Sequence, residues 1–431
     1  MDASSFARRL GIHDPKLLRI GAFLAWILVA SCFFVFFKLH HTRRASIGGT
    51  PGTGGQVFCN ETVVSDYCEM VGDIRVDGST ATVYVAGTTS ENAVWTIKPY
   101  ARKFDPKAMG SVRKWEVKLV SKEAPSCTRK HSSPGILFSA GGYADNLFHN
   151  FADTLLPLFA EAKPFKGKVE FLITDSEKQP LFVGKFQPFL RILSKYSPLD
   201  VDYQEGSSIH CYPSLTVGHK HRSEKELSLE DAGTEHTIKD FMELGRSLFK
   251  LRKARTTGPF ENMRIPRILI IERKHSRVIT NTNSIYEIAR RLGVKVLAHE
   301  LESDVEDISQ AVNVCDIVLG VYGSGLSSSI FLPDNAVVIQ IVPFGVPEKM
   351  TERFRSPAME MGMRYLEYAA DLEESSVGRQ YAADHAAVRN PKEIADQGED
   401  AVRSTYLSQN ITINISRFNE TLIQALEILG L

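Results

Sequence analysis

The strongest constraint on the fold is a regular alternation of strand and helix patterns in the second half of the sequence. It begins at RILIIERK and continues through a helix, a second strand, another helix and the strands DIVLGVYGSG and AVVIQIVPFG. Strands separated by helices at this spacing pair in parallel, because each crossover returns the chain to the same end of the sheet. The apolar runs Ile268–Ile271 and Ile317–Leu319 are typical of strands buried on both faces. We predict a doubly wound, Rossmann-like domain over residues 223–431, closed by a C-terminal helix.

The first half of the chain also shows strand and helix patterns. Short alternating strands such as ATVYVAG and WEVKLV come first, and the apolar strands PGILFSA and KVEFLITD follow. The segment PLFVGKFQPFLRIL then has helical periodicity. We predict an N-terminal α/β domain over residues 58–222, so that two α/β domains face a cleft. Ligands of such folds bind beyond the carboxyl ends of the strands.

An apolar segment near the amino terminus, IGAFLAWILVASCFFVFF at residues 20–37, contains no charged side chain. A bilayer core takes about 20 apolar residues. The segment is long for a cleavable signal peptide, and no small-residue cleavage site follows it. We predict an uncleaved transmembrane anchor between a cytosolic tail, residues 1–19, and a Gly- and Thr-rich stem, residues 38–57.

Sequons and cysteines place the body of the protein on the lumenal side of a membrane. Glycosylation sequons follow the anchor at Asn60, Asn410, Asn414 and Asn419. Disulfides persist in such compartments. The preferred pairing is Cys59 with Cys68 and Cys127 with Cys211, although four cysteines allow three connectivities. Cys315 lies in an apolar run and is expected to be a buried free thiol.

Composition and spacing exclude two classes of partner. The chain has 51 basic and 51 acidic side chains, which removes the electrostatic case for binding nucleic acid. The cysteines and histidines lack zinc-site spacing. Asp200 and Asp202 form a D-x-D pair, and such a pair can hold a divalent ion against a nucleotide-sugar diphosphate. This pair does not end a buried strand, so the metal-dependent interpretation is kept as an alternative and no metal site is predicted.

The segment GGYADNLFHNFADTLLPLF, residues 141–159, combines an apolar core face with a polar stripe. Asn146, His149, Asn150 and Asp153 recur at i, i+3, i+4 and i+7, which places them on one face of a helix. A carboxylate one turn after a histidine can orient the imidazole and raise its basicity, as general-base catalysis requires. The alternative is an ordinary solvated helix face.

Two loops that leave strand ends are suited to bind an anion. GVYGSGLSS places Gly320, Gly323 and Gly325 before a helix start, where backbone N–H groups can approach a phosphate. ERKHSRVITN carries Arg273 and Arg277, and guanidinium groups bind phosphates in a bidentate fork. The alternatives are a plain tight turn and a solvated basic loop.

These segments resemble the plant branch of the family 61 glycosyltransferases, the xylan arabinosyl- and xylosyltransferases. The resemblance covers nearly the whole chain after the anchor, from SDYCEMVGDIRV to the tail YLSQNITINISRFNETLIQAL. It implies a type II Golgi membrane enzyme with a GT-B-like fold of two Rossmann-like domains. It also implies inverting transfer of xylose or arabinose from a UDP-sugar onto xylan, with no cofactor, and a possible homo- or hetero-oligomer.

The resemblance also implies roles for individual residues. His149 oriented by Asp153, or Asp153 itself, would deprotonate the acceptor hydroxyl. The residues that would bind substrate are Asn146, Arg273, Arg277, Asn281, Tyr322, Gly323, Ser324, Gly325 and Leu326. Tyr322 stands where the family usually has histidine, and Ser324 where it has alanine. The tyrosine leaves an alternative function, that of a catalytically silent scaffold or glycan-binding partner in a Golgi complex.

Overall fold

The computed structural model describes residues 55–431 except for nine short segments. These are residues 88–92, 122–123, 144–145, 179, 204–207, 221–225, 230–233, 257–264 and 301–303. The predicted tail and anchor, and the stem up to residue 54, lie outside the described residues. No helix in the described part of the chain is both long and apolar enough to cross a membrane. Residues 53–431 form one compact unit, so the predicted boundary at residue 222 stays a prediction.

Ten strands of the first half form a mixed sheet with the order β4-β5-β3-β2-β10-β7-β8-β9, to which β1 adds beside β2 and β6 beside β10. The strands are β1 (Gln56–Glu61), β2 (Asp66–Asp77), β3 (Thr82–Ala86), β4 (Val94–Ile97), β5 (Trp115–Val120), β6 (Arg129–Lys130), β7 (Gly135–Ser139), β8 (Glu170–Thr174), β9 (Leu199–Asp200) and β10 (Ile209–Val217).

The direction of these strands corrects the prediction of a second Rossmann-like sheet. Strands β7, β8 and β9 are parallel, but β1, β2 and β3 form consecutive antiparallel pairs, and β10 also runs antiparallel to β2. The turn between β2 and β3 is too short to hold the crossover that parallel pairing needs. Alternating apolar residues predict these strands but do not determine their direction.

The second half forms a five-stranded parallel sheet, as predicted. Its order is β12-β11-β13-β14-β15, with β11 (Arg267–Glu272), β12 (Lys295–Glu300), β13 (Ile317–Val321), β14 (Val337–Val342) and β15 (Arg364–Ala369). After β11 the chain crosses first to one side, to β12, and then to the other side, to β13. The carboxyl ends of β11 and β13 therefore border a topological switch point, which is where ligands of open α/β sheets bind.

Helices cover both sheets. They are α1 (Pro106–Gly110), α2 (Leu147–His149), α3 (Leu156–Ala162), α4 (Pro180–Leu193), α5 (Ile238–Leu248), α6 (Thr282–Arg291), α7 (Val305–Asn313), α8 (Glu348–Glu360), α9 (Val377–Gln380), α10 (Ala386–Arg389), α11 (Pro391–Ala395), α12 (Glu399–Tyr406) and α13 (Ile415–Ile428). A π-helical segment, Asn150–Leu155, joins α2 to α3, and a 3₁₀ helix, Ser324–Phe331, follows β13.

One apolar core connects the two sheets. It contains Phe138 of β7 and Leu269 of β11, and between them an aromatic cluster in which Phe151 contacts Phe241 and Phe331 edge-on. Because these rings come from both halves of the chain, the helix that carries the polar stripe is held against the second sheet.

The predicted disulfides are both formed. Cys59 is bonded to Cys68 across the β1–β2 pair, and Cys127 is bonded to Cys211 of β10. Cys315 is a buried free thiol, and burial raises its pKa to about 12. Its thiolate is therefore scarce at neutral pH, and the residue acts as a small apolar core side chain.

Candidate active site

The helix with the polar stripe begins at a side-chain cap and then changes its winding. Asn146 is the N-cap of α2, and its side-chain oxygen accepts a hydrogen bond from the amide of Phe148 at 3.0 Å. The segment Asn150–Leu155 is π-helical, a rare conformation that is frequent at functional sites. Asn146 therefore has a structural role as a cap, and its predicted contact with substrate stays a prediction.

His149 and Asp153 form a hydrogen-bonded pair. His149 Nδ1 lies 2.9 Å from Asp153 Oδ2, and the carboxylate is buried. Asp153 also accepts two hydrogen bonds from Arg102, at 2.7 and 2.8 Å, and one from the Tyr100 hydroxyl at 2.9 Å. An ionised carboxylate only accepts hydrogen bonds, so Nδ1 of His149 carries the proton. In the neutral imidazole the second ring nitrogen, Nε2, is then a hydrogen-bond acceptor.

The charges around Asp153 keep it ionised. Burial by itself would raise the pKa of Asp153, but the Arg102 charge and the hydrogen bonds from His149 and Arg102 outweigh it, and the pKa lies below its ordinary value. Burial and the neighbouring Asp153 raise the pKa of Tyr100 well above its ordinary value. Tyr100 therefore remains a hydrogen-bond donor to the carboxylate. Such a carboxylate orients the imidazole and has little tendency to take up a proton itself.

Helix α2 packs against the 3₁₀ helix that follows the glycine loop. The Phe148 and Phe354 rings lie 5.5 Å apart, and the Phe354 and Tyr322 rings also lie 5.5 Å apart. This row of rings brings His149 close to the residues that follow β13. The sequence patterns of the stripe and of the glycine loop therefore meet in one place.

Arg273 and Arg277 lie against the glycine loop. Gly323 leaves little room for a side chain, because a Cβ there would lie 3.0 Å from Arg273 Nη1 and 3.1 Å from Arg277 Nη1. Arg277 donates to the carbonyl oxygen of Tyr322 at 3.0 Å, and Arg273 donates to that of Ser276 at 2.9 Å. Among the described residues, neither guanidinium forms an ion pair with a carboxylate.

The two arginines therefore form an uncompensated positive site. Burial, together with the positive charges of Arg273 and Arg403, lowers the pKa of Arg277 to about 10. Burial also lowers the pKa of Arg273. A buried Nε atom of Arg277 has no partner within the described structure. An anion bound here would relieve the repulsion and satisfy the free donors.

The glycine loop supplies further donors. Gly323 has a φ of +150° and precedes the 3₁₀ helix, whose N-terminus has no side-chain cap. Ser324 and Gly325 are half-buried, whereas Leu326 is fully buried and packs beneath Gly320. A pocket of about 230 Å³ opens beside Arg273 and Arg277 at the carboxyl ends of β11 and β12. It is lined also by Ile270, Ile271, Glu272, Val278, Ile279, Thr282 and Glu300.

Two of the predicted substrate-binding residues have structural contacts. The side-chain amide of Asn281 bonds both backbone groups of Ile413, at 2.8 and 2.9 Å, and so ties the loop to the C-terminal segment. Tyr322 is buried against Phe354, and its hydroxyl accepts a hydrogen bond from Arg353 at 3.4 Å. The backbone carbonyl of Tyr322 accepts the hydrogen bond from Arg277.

The other predicted sites are placed as follows. Asn414 is exposed and caps α13, and Asn410 accepts a hydrogen bond from the amide of Val278. Asn60 donates to the Tyr67 hydroxyl at 3.3 Å, and Asn419 is half-buried in α13. Whether any of the four carries a glycan stays a prediction.

The D-x-D pair is used in local structure. Asp202 accepts hydrogen bonds from Arg113 at 2.6 Å and from the Thr174 hydroxyl at 2.8 Å. Asp200 accepts from the amide of Asp202 at 2.9 Å. In the described part of the chain, no group of three or more histidine, cysteine or carboxylate side chains is arranged to hold a metal ion.

Sequence reasoning missed the ionic residues that support the site. Arg102 and Tyr100 precede Asp153 by about fifty residues, and the others follow it at still greater distances. These later residues are Glu226, Arg353, Glu399 and Arg403. They occur in segments without a recognisable motif, and a single sequence carries no signal that links them.

A parallel sheet with two buried arginines at its glycine loop, and an oriented imidazole on the helix that packs beside that loop, is suited to group transfer from a phosphorylated donor, and the chain is a glycosyltransferase. The family model described as Glycosyltransferase 61 matches residues 147–339, which include His149 and Asp153 of the stripe and both loops that are predicted to bind an anion. Together with close relatives along most of the chain, this shows that the protein belongs to the glycosyltransferase 61 family, as predicted.

Several of the relatives are plant enzymes. A β-1,2-xylosyltransferase of Oryza sativa subsp. japonica is 36% identical over 402 residues, covering 88% of this chain and 70% of the relative. An α-1,3-arabinosyltransferase of the same organism is 36% identical over 370 residues, covering 84% of this chain and 63% of the relative. A xylan glycosyltransferase of Arabidopsis thaliana is 29% identical over 397 residues, covering 86% and 79%.

Similarity to solved structures is weak. A bacterial iron-containing dodecameric glycosyltransferase, TibC from enterotoxigenic E. coli H10407, has 12% sequence identity and a TM-score of 0.24, with 70% of this chain and 81% of that chain covered. This value is too low to support an argument about the fold.

Proposed function

We propose that this glycosyltransferase transfers a pentose, xylose or arabinose, from a UDP-sugar onto xylan as a side-chain substitution, with inversion at the anomeric carbon. The observation that carries the proposal is the packing of α2 against the 3₁₀ helix after Gly323. It brings a potential base and an anion site together, and an inverting transfer needs both. The names of the relatives, xylosyl- and arabinosyltransferases, support the pentose and the xylan acceptor.

His149 is the better candidate for the base. Asp153 is buried, receives hydrogen bonds from three side chains and has a lowered pKa, so it is a weak proton acceptor. His149 Nδ1 donates to this carboxylate, which leaves Nε2 to take the proton of the acceptor hydroxyl. Asp153 orients the ring and stabilises the imidazolium that forms, as the carboxylate does in other imidazole–carboxylate pairs.

Arg273 and Arg277 would bind the diphosphate of the donor. Negative charge develops on the UDP leaving group as the glycosidic bond breaks, and prearranged cations stabilise this charge without reorganisation. The N-terminus of the 3₁₀ helix, with Ser324 and Gly325, supplies backbone donors on the same side. This arrangement performs the task that a divalent ion performs in metal-dependent enzymes, so we propose that no metal is required.

The catalytically silent alternative is not favoured. It was motivated by Tyr322, which replaces an expected histidine. The Tyr322 ring is buried in the row of aromatic side chains, whereas its backbone carbonyl holds Arg277. The substitution therefore leaves the arginine contact in place. A GT-B-like arrangement, a type II Golgi topology and assembly into oligomers belong to the same proposal.

Purified full-length protein, incubated with UDP-xylose or UDP-arabinose and xylo-oligosaccharides, tests the function. We expect UDP release that depends on the acceptor, and a product whose new linkage has inverted configuration. The Arg291→Ala variant, which removes an exposed arginine on α6 outside the site, serves as a control and should release UDP as the wild type does. UDP release at the same slow rate with and without acceptor would contradict the proposal.

A further inference from the structure

A row of alternating charges runs from the imidazole side of the site to its cationic side. It contains three carboxylates, Asp153, Glu226 and Glu399, and three arginines, Arg102, Arg353 and Arg403. Each neighbouring pair is in direct contact. Because positive and negative charges alternate along the row, each ion contacts an opposite charge. These contacts compensate for the hydration that the ion loses on burial.

The first arm of this row reaches the base. Arg102 bonds both oxygens of Asp153, and its Nη2 also donates to Glu226 Oε1 at 2.7 Å. The Arg102 side chain is only 5% exposed. Its position is therefore determined by the two carboxylates on either side. A change at Glu226 should move Arg102, then Asp153, and finally the ring of His149.

The second arm reaches the anion site. Arg353 Nε lies 2.7 Å from Glu226 Oε2, and the two Nη atoms of Arg353 bond the two oxygens of Glu399 at 2.7 Å each. Glu399 in turn accepts a hydrogen bond from Arg403 Nε at 3.0 Å. Arg353 Nη1 also donates to the Tyr322 hydroxyl at 3.4 Å, and the carbonyl oxygen of Tyr322 accepts a hydrogen bond from Arg277 at 3.0 Å, so the second arm reaches the arginine pair through Tyr322.

Glu226 is the only described residue of the row that uses its two oxygens to bind one arginine from each arm. We propose that Glu226 is a positioning residue that joins the two halves of the active site, through Arg102 to the base and through Arg353 and Glu399 to Arg403. The expected changes in kcat and in UDP affinity rest on the proposed function. The expected change in the hydrogen bond between His149 and Asp153 does not.

The Glu226→Gln variant of the full chain tests the proposal. An amide keeps the shape of the side chain but cannot accept hydrogen bonds from both arginines. We expect kcat and UDP affinity each to fall roughly tenfold, the size of coupling between residues in one ionic network. Asp153→Asn should lower kcat alone, and Arg403→Gln should weaken UDP binding alone. In the double variants, Glu226→Gln should lower kcat little further when Asp153→Asn is present. It should weaken UDP binding little further when Arg403→Gln is present.

The control variant is Glu367→Gln. Glu367 accepts a hydrogen bond of 2.7 Å from Arg355, which lies on α8, the helix that also carries Arg353. Glu367 and Arg355 are not part of the row of charges. The variant removes one carboxylate from an ion pair of the same length. Should Glu226→Gln not fold, Glu226→Asp keeps the charge but is one methylene too short to reach both arginines. The same losses are expected of it.

A spectroscopic measurement separates this inference from the proposed function. In full-length protein with ¹⁵N-labelled histidine, the Nδ1 proton of His149, assigned through His149→Gln, reports the bond to Asp153 without any substrate. Glu226→Gln should shift this signal, and Glu367→Gln should not. An unchanged signal, a loss in only one arm, or simply additive losses in the double variants would overturn the proposal. If the wild-type protein neither binds UDP nor transfers sugar, the proposed function fails, and the His149 signal alone decides the role of Glu226.

Discussion

At the scale of single residues, environment separates groups that look equivalent in the sequence. His149 and Asp153 are both candidate bases, but only Asp153 is surrounded by donors and held ionised. Arg273 and Arg277 resemble the many surface arginines, but they lie beside a glycine and have no carboxylate partner among the described residues.

The stripe yields a residue-scale prediction. His149→Ala should lower turnover by roughly 10²–10⁴-fold, the usual contribution of a general base. Asp153→Asn should also lower turnover, because the neutral amide no longer orients and stabilises the imidazolium. UDP affinity, measured by calorimetry on the same preparations, should be retained in both. Near wild-type turnover in folded His149→Ala with inactive Asp153→Asn would show that the carboxylate is the base.

The arginine pair yields a second residue-scale prediction. Arg277→Ala should weaken UDP binding by roughly tenfold to a hundredfold, since hydrogen bonds to charged groups contribute about 1.5–3 kcal/mol. Uridine, which lacks the diphosphate, should bind both proteins equally. Unchanged UDP affinity in a folded Arg273→Ala, Arg277→Ala double variant would return the loop to an ordinary basic surface.

At the scale of elements, the switch point of the parallel sheet places the loops after β11 and β13 side by side. The glycine loop is fitted to this neighbour, because the guanidinium groups of Arg273 and Arg277 lie 3.0 and 3.1 Å from the position that a Cβ of residue 323 would take. The loop and the arginines therefore act as one element of the site.

Gly323→Ala tests this element. The added methyl group would push both guanidinium groups aside by a few tenths of an ångström, and alanine at a φ of +150° is strained. We expect UDP affinity to fall, but by less than in Arg277→Ala, in a protein that still folds. Gly87→Ala is the control, since Gly87 also has a positive φ but nothing lies within 4 Å of an added Cβ. Equal UDP affinity in the two glycine variants would contradict the assignment.

Strand β10 yields a prediction of pH-dependent stability. His210 is buried beside His131, with which it shares a hydrogen bond of 2.9 Å, and Arg129 also acts on it. His131 in turn contacts Glu170. Burial, with the charges of His131 and Arg129, lowers the pKa of His210 from 6.5 to about 4. Between these values the unfolded chain binds a proton that the folded chain does not.

The free energy of unfolding should therefore fall as the pH is lowered from 6.5 to 4, by at most about 1.4 kcal/mol per pH unit from this residue. Melting temperatures of the wild type and of His210→Gln across this range provide the measurement. The variant should show the weaker dependence on pH. Equal slopes in wild type and His210→Gln would refute the prediction.

At the scale of the whole molecule, one core and one ionic row connect the two halves.

The sequence predicts a membrane anchor that is followed by four glycosylation sequons. We therefore expect the full chain to be a membrane-bound glycoprotein with a lumenal carboxyl terminus. Endoglycosidase treatment of the protein from plant microsomes should increase its electrophoretic mobility. Asn→Gln substitution at all four sequons is the control, and a freely soluble, unglycosylated product would contradict this topology.

The sequence by itself determined features that depend on local periodicity. Continuous apolar strands between helices specified the parallel sheet, and parallel strands bring their carboxyl-end loops to one edge. A spacing of four residues sufficed to place His149 beside Asp153. Only the tertiary structure decided the mixed direction of the first sheet, the binding of Asp153 by Arg102, the structural contacts of Asn281, and the row centred on Glu226. These depend on contacts between residues far apart in the chain, and such contacts follow from how elements pack, which no local pattern specifies.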